Sequence, residues 1–173
     1  MLLIAMMGLP GCGKSTLGRQ IAAALAAPAI ILDKDAIRAA LFPPAEIEYS
    51  IKQDDFCLDV MQQTAAYLLD KGRTVIIDGR PFSKRYQVDD LVDFCHKGHY
   101  PLKIIECVCS DESARQRLEA DVAGHRHSAD NRTFAMYLAM KAQAEAITIP
   151  HLVVNTDRPL DVCLAACLRY LKG

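Results

Sequence analysis

The sequence predicts an α/β fold in three layers, a parallel sheet with helices on both faces. Three observations carry that expectation. Short runs rich in Ile, Val and Leu alternate with longer amphipathic stretches along the 173 residues. The runs are continuously apolar rather than alternating, as strands buried on both faces must be. The connections between runs hold helix-length segments, which parallel strands joined by right-handed crossovers require.

Taken in order, Leu2–Met7 is the first strand and runs into Gly8. Lys14–Ala26 is a helix that opens at a glycine-rich turn. Ala29–Leu32 is a second strand, and Asp35–Leu41 a short helix stopped by Pro43 and Pro44. Ile51–Lys71 places Ile51, Leu58, Met61, Ala65 and Leu68 on one face, and Gly72 ends it. Thr74–Ile77 is the third strand and Ser83–His96 the helix after it. Leu102–Val108 is followed by a helix over Asp111–Asp121, with Ser110 as its N-cap. Asn131–Ala146, the strand His151–Val154 and the helix Leu160–Leu171 complete the chain. There is no repeat, low-complexity tract or long linker, so residues 1–173 read as one domain.

Composition narrows the class. Apolar residues make up 51% and charged residues 24%, which excludes a disordered chain, a collagen-like fibre and a small disulfide scaffold. Lys and Arg number 20 against 21 Asp and Glu, so no global charge marks a nucleic-acid or membrane-surface protein. No apolar run approaches the ~20 residues of a bilayer span. Leu2–Met7 lacks a basic leader and reads as a strand, not a signal peptide. The seven cysteines, among them Cys107, Cys109, Cys163 and Cys167, lack the spacing of a zinc site and read as buried reduced thiols of a cytoplasmic protein.

The sharpest motif is Gly8-Leu9-Pro10-Gly11-Cys12-Gly13-Lys14-Ser15-Thr16, which fits G-x-x-x-x-G-K-[ST], the P-loop. Glycines let the backbone curl until several N–H groups face one anion, and the following helix adds the positive end of its dipole. Gly8, Pro10, Gly11, Cys12, Gly13, Lys14, Ser15 and Thr16 are therefore the nucleotide-binding candidates. Lys14 should reach the β- and γ-phosphates and the Ser15 hydroxyl should ligate Mg²⁺. Position supports the match, because it lies between a predicted strand and a predicted helix.

Two strands end in aspartate, Ile30-Ile31-Leu32-Asp33 and Val75-Ile76-Ile77-Asp78. Either carboxylate suits Mg²⁺ held through water. Asp33 equally suits an N-cap and Asp78 a turn before Gly79. Asp35 and Arg38 stand three apart on the next helix and share a face. A carboxylate there can take the proton of an attacking hydroxyl, and a guanidinium can hold an anionic part of an acceptor. The bland reading of that pair is a surface ion pair.

Gly8–Thr16, the Asp33-x-Asp35-x-x-Arg38 element, and Val75–Asp78 followed by Arg80-x-Phe82-Ser83-x-Arg85 resemble the small P-loop kinases related to polynucleotide 5′-hydroxyl kinase. These are the AAA-domain and zeta-toxin-like kinases, a group that includes chloramphenicol phosphotransferase, adenylylsulfate kinase and gluconate kinase. The resemblance implies a P-loop NTPase fold with a five-stranded parallel sheet in the order 2-3-1-4-5. It also implies a small lid near residues 122–131. It assigns ATP and Mg²⁺ as cofactors, Lys14 to the phosphates, and Asp35 as general base. Arg38, Tyr49, Asp78, Arg80 and Arg85 fall to the acceptor, with Asp78 also reaching the metal through water. Arg117 falls to the nucleotide, and Arg126 and Arg132 to the lid as cations that neutralise the transferring phosphoryl group. His125 and His127 read as surface histidines. No Asn-Lys-x-Asp guanine signature is present, and Asn155-Thr156-Asp157 is not one.

The expected activity is transfer of the γ-phosphoryl group of ATP to a hydroxyl of a small molecule. Without a long basic tract, a polynucleotide or nucleoside 5′-hydroxyl acceptor is the second reading. The third is an ATP-binding regulatory module without transfer, which Asp35 and Arg38 argue against. No membrane partner is expected.

Overall fold

The computed structural model describes residues 1–123 and 133–173. The elements run β1 (Leu2–Met7), α1 (Lys14–Ala24), β2 (Ile30–Asp33), α2 (Lys34–Leu41), α3 (Ile51–Asp70), β3 (Thr74–Asp78), α4 (Arg85–Gly98), β4 (Leu102–Val108), α5 (Asp111–Ala123), α6 (Phe134–Gln143), β5 (Leu152–Asn155) and α7 (Leu160–Lys172). A 3-10 turn at Pro44–Glu46 lies between α2 and α3. All strand pairs are parallel, in the order β2-β3-β1-β4-β5. This is the sheet that the resemblance implied.

Side-chain alternation along β1 explains the three layers. Leu3, Ala5 and Met7 face α3 and α4, where they meet Met61, Ala65, Leu69, Leu91 and Cys95. Ile4 and Met6 face α1 and α7, where they meet Leu17, Ile21, Cys163 and Cys167. Both sets are buried, and each large apolar side chain taken out of water contributes ~1.5–3 kcal/mol. A smaller cluster of Ala114, Leu118 and Tyr137, with Leu9 and Phe134 against it, ties α5 and α6 to the glycine loop.

Helix ends follow local chemistry. The Asp33 carboxylate accepts from the backbone N–H of Asp35 at 2.8 Å and of Ala36 at 3.0 Å, so Asp33 is the N-cap of α2. Ser50 caps α3 by accepting from Gln53 at 3.2 Å. After α3, Gly72 takes φ +75° while its N–H reaches Leu69 and that of Arg73 reaches Leu68, the crossed bonds of a Schellman end.

Most element ends shift by one to three residues from expectation, and three of the shifts have a visible cause. The strand β2 extends to Asp33, because its pairing with β3 continues to Asp78. The fourth helix starts at Arg85, not Ser83, because the preceding turn places Phe82 at φ +53°, outside helical geometry. The sixth helix ends at Gln143, short of the expected Ala146. There the Glu145 N–H leaves the helix and donates to the Ser83 carbonyl at 2.9 Å. Residues 144–150 continue as an extended strap whose Ile147 and Ile149 pack onto the α3–α4 side of the core. Residues 122 and 123 belong to α5. The remainder of the expected lid, with His125, Arg126, His127 and Arg132, lies outside the described residues.

No described helix is long and apolar enough to cross a membrane. All seven cysteines are free, six of them buried, with Cys109 half-buried. Burial pushes the Cys95 thiol up to about 12 and that of Cys167 up to about 11, which keeps them out of the reactive thiolate form. We expect a disulfide exchange reagent to titrate no more than one thiol, Cys109, in the native protein and all seven in guanidinium. Rapid reaction of several native thiols would show that the core opens readily.

Candidate active site

The carboxyl ends of β1, β2 and β3 converge at one edge of the sheet, where ligands of open α/β sheets bind. The glycine loop leaves β1 there. Gly8 (φ +126°), Gly11 (+77°) and Gly13 (+80°) all take left-handed geometry. Space as well as φ requires the first of them, since a β-carbon on Gly8 would lie 2.2 Å from the Cys107 carbonyl oxygen. Gly13 ends the loop, and α1 begins at Lys14 with its first N–H groups directed at the loop's concave side. Lys14 is 8% exposed, and its ammonium donates to the Leu9 carbonyl at 2.9 Å across the loop.

A brace fixes the far end of the loop. The Arg117 guanidinium of α5 donates to the Gly11 carbonyl at 3.2 Å, to the Thr156 hydroxyl at 2.9 Å and to the Thr156 carbonyl at 2.8 Å. The Thr156 hydroxyl in turn reaches the Cys12 carbonyl at 3.0 Å. Gly13, Thr16, Leu17, Arg117, Thr156 and Arg158 line a cavity of about 300 Å³ beside this brace. Arg117 thus sits at the loop. Thr156 and Arg158 were not singled out by sequence, because nothing local marks a loop that meets residue 12 only through the fold.

Asp35 and Arg38 are brought together as their spacing suggests, with Nη1 donating to Oδ1 at 2.6 Å. They are not a surface pair. Arg38 is 1% exposed, its Nη2 donates to Asp54 of α3, and its guanidinium lies 5.1 Å from the centre of the Tyr49 ring. Lys34 joins the same Asp54 at 2.7 Å. Burial lowers the Lys34 amine below the ordinary lysine value, against the pull of Asp54. Arg38, the residue expected at an acceptor, is thus held from two sides by carboxylates of the protein. In this conformation both of its Nη atoms are used within the protein, and it fixes the Asp35 carboxylate.

The same holds for Arg80, which is 4% exposed and bonds Asp55 at 2.7 Å. Its guanidinium also lies beside Tyr86, with Nη2 donating to the hydroxyl at 3.4 Å. Adjacent carboxylates of α3 thus each hold one arginine from the strand-end elements. In both arginines the Nε is buried without a partner. Arg85 begins α4 with an exposed side chain, and Tyr49 is 41% exposed. Asp78 is 2% exposed, is in register with Asp33, and accepts from the Gly79 N–H at 2.8 Å.

A second cavity, about 210 Å³, opens on the Gly8–Leu9 side of the loop. Its walls come from Phe82 after β3, Glu106 of β4, Tyr137 and Lys141 of α6, and Glu145 and Ile147 of the strap. None of Glu106, Tyr137, Lys141 or Glu145 was singled out by sequence. The strap is pinned: the Arg85 N–H donates to Glu145 at 2.7 Å and Lys84 to the Gln143 carbonyl at 2.8 Å. Asp111 takes Lys141 and the Tyr137 hydroxyl.

These anchors titrate. Hydrogen bonds from Lys141 and Tyr137 hold Asp111 below the usual carboxylate value, and the Arg85 N–H does the same for Glu145. A carboxyl depressed in the fold stabilises it above the unfolded value of ~4, and that contribution is lost as pH falls through the folded value. We expect amide exchange in α6 and the strap, corrected for intrinsic rates, to accelerate relative to β1 below about pH 4. Unchanged relative protection at pH 3 would show that these carboxylates anchor nothing.

A strand-ended P-loop over a 2-3-1-4-5 parallel sheet, with carboxylates on the neighbouring strand ends, defines a P-loop nucleotide-binding fold of the kinase type. Residues 3–147 match the AAA domain family, and the chain belongs to it. Solved structures of similar fold include a protein of Chloroflexus aurantiacus described as a kinase (21% identity, 98% of this chain and 97% of that one, TM-score 0.77). The adenylylsulfate (APS) kinase CysC of Mycobacterium tuberculosis, in complex with AMPPNP and APS, is 17% identical, with 99% and 98% covered and a TM-score of 0.75. A gluconokinase of Sinorhizobium meliloti is 19% identical, with 99% and 91% covered and a TM-score of 0.72. No curated protein matches the sequence.

Proposed function

We propose that the protein is, as one domain, an ATP-dependent kinase that phosphorylates a hydroxyl group of a small molecule. The observation that carries this reading is Asp35, in the first turn of α2 at the sheet edge from which the glycine loop also leaves, held by a buried arginine. A module that only binds nucleotide has no need of a carboxylate fixed beside the cleft. The adenine end of ATP belongs in the cavity between Gly13 and Thr156, where Arg117 lies. The phosphates then run along the loop toward Gly8, with Lys14 and the first N–H groups of α1 on their oxygens.

Asp35 orients the acceptor hydroxyl and takes its proton as the oxygen bonds to the γ-phosphorus and the bridging oxygen leaves with ADP. Arg38 keeps Asp35 in one rotamer, so little reorganisation is needed at the moment of transfer. The hard oxygen donors Ser15 and Asp78 fit Mg²⁺, which usually takes one or two protein oxygens together with nucleotide phosphates. When bound, the ion would neutralise charge on the β- and γ-phosphates. Arg126 and Arg132 remain the proposed lid cations.

The test is γ-labelled phosphoryl transfer with ATP and Mg²⁺ to pools of sugars, sugar acids, amino alcohols, nucleosides and 5′-hydroxyl oligonucleotides. Label in a small-molecule pool, lost in Lys14→Ala, supports the reading. Label on oligonucleotides alone would replace the acceptor class. ATP bound with no transfer to any pool would favour a regulatory module.

A further inference from the structure

The turn between β3 and α4 holds a backbone that its own side chain opposes. Phe82 takes φ +53°, a left-handed geometry that glycine and asparagine tolerate and a bulky aromatic residue resists. Its ring is 2% exposed and packs into the α3–α4 side of the core. Strain of this kind persists only where the surroundings hold the residue from both sides. Before Phe82, the Pro81 carbonyl accepts from the N–H of Gly8, the first glycine of the loop, at 3.0 Å. After it, the Ser83 carbonyl accepts from the Glu145 N–H at 2.9 Å. The Glu145 carboxylate accepts from the Arg85 N–H at 2.7 Å.

Glu145 thus grips the turn twice, by main chain and by side chain, from 60 residues beyond Arg85. Lys84 reinforces the grip, reaching the Gln143 carbonyl at 2.8 Å and Glu145 at 3.7 Å. Gly8, Pro81, Phe82, Ser83 and Glu145 all line the same cavity, so the path from strap to glycine loop is continuous. A turn released by the strap can return Phe82 to negative φ. That rotation swings the Pro81–Phe82 peptide and takes the Pro81 carbonyl off Gly8, leaving an amide at the mouth of the loop without its partner.

We propose that Glu145 is a positioning residue for the glycine loop. Acting through the Ser83–Arg85 turn, it keeps Phe82 left-handed and the Pro81 carbonyl on Gly8, and so sets the shape in which the loop receives phosphates. The consequence for nucleotide rests on the reading above; the linkage between strap and loop does not.

The test compares Glu145→Gln, Glu145→Ala and Glu145→Pro in the full chain. Glutamine keeps the N–H and an oxygen for Arg85, alanine keeps only the N–H, and proline keeps neither. Proline suits the strap, since Ala144 before it is extended at φ −68° and ψ 136°. Amide exchange by NMR reads Gly8 directly, with Ile4 in the middle of β1 as the control for global opening. Calorimetry reads AMPPNP binding with Mg²⁺. Relative to Ile4, Gly8 exchange should accelerate about tenfold in Glu145→Pro, less in Glu145→Ala and not in Glu145→Gln. AMPPNP affinity should fall in the same order. Phe82→Gly and Phe82→Ala then test the route, since both lose the ring and only glycine takes φ +53° freely. Adding Glu145→Pro should shift Gly8 exchange by no more than about twofold in the glycine background and still about tenfold in the alanine one. Gly8 exchange unmoved by Glu145→Pro, an equal acceleration in Glu145→Gln, or equal effects in the two Phe82 backgrounds would each overturn the proposal. If loss of the ring unfolds both Phe82 variants, the Glu145 series decides alone. A wild type that binds no AMPPNP would count against the nucleotide reading, while Gly8 exchange still judges the linkage.

Discussion

We expect Asp35→Asn to lower kcat for phosphoryl transfer by about 10²–10⁴, the usual range for a general base, with ATP affinity changed little. Asparagine keeps an oxygen for Arg38 Nη1, so the 2.6 Å contact can persist while the proton acceptor is lost. Asp35 lies on α2 and the nucleotide's candidate contacts lie on the glycine loop, α1 and the Arg117–Thr156 brace. Transfer and binding should therefore separate. Measured kcat, acceptor KM and nucleotide Kd resolve the split. Equal losses in nucleotide binding and turnover would show that Asp35 shapes the cleft rather than acting on the acceptor. Unchanged kcat would remove it from the mechanism.

Arg38→Leu carries the largest expected loss of stability. The guanidinium is buried between Asp35 and Asp54, and removing one member of a buried charge network typically costs about 3–5 kcal/mol, because the remaining charges stay desolvated. Lys34 still reaches Asp54 at 2.7 Å, so Asp54 keeps a cation while Asp35 loses its Arg38 contact. Urea unfolding of the variant measures it. Adding Asp35→Asn should recover part of the stability, since the carboxylate that loses its Arg38 contact is then neutral. A loss below about 1 kcal/mol would mean that water screens the cluster as it would a surface pair.

The two substitutions divide what the sequence disclosed from what it withheld. The glycine loop, the five strands and the Asp35–Arg38 contact were legible because each is written within a few residues: a fixed motif, a continuous apolar run, an i,i+3 spacing. The burial of Arg38 was not. Seen locally, Asp35 and Arg38 are an ordinary i,i+3 pair, and what buries them is Asp54, 16 residues on from Arg38, supplied by a helix whose own periodicity shows only its apolar face. The strap was hidden for a related reason. Ala144 and Glu145 are compatible with helix, and only the Ser83 carbonyl, far away in sequence, draws the Glu145 N–H out of it. Glu106 escaped notice because a single acid in a strand has no pattern of its own.

The brace around Thr156 bears on how the protein is made. A ribosome delivers the glycine loop before β3 and β4, yet β1 sits at the centre of the sheet and needs both as neighbours. The Thr156–Cys12 contact spans 144 residues, so the last link of the loop's frame is translated long after the loop itself. Such long-range closures are slow compared with local helix formation. Until then a nascent chain carries the whole phosphate-binding motif without the frame that shapes it, and nucleotide can reward folding only once Thr156 has been made.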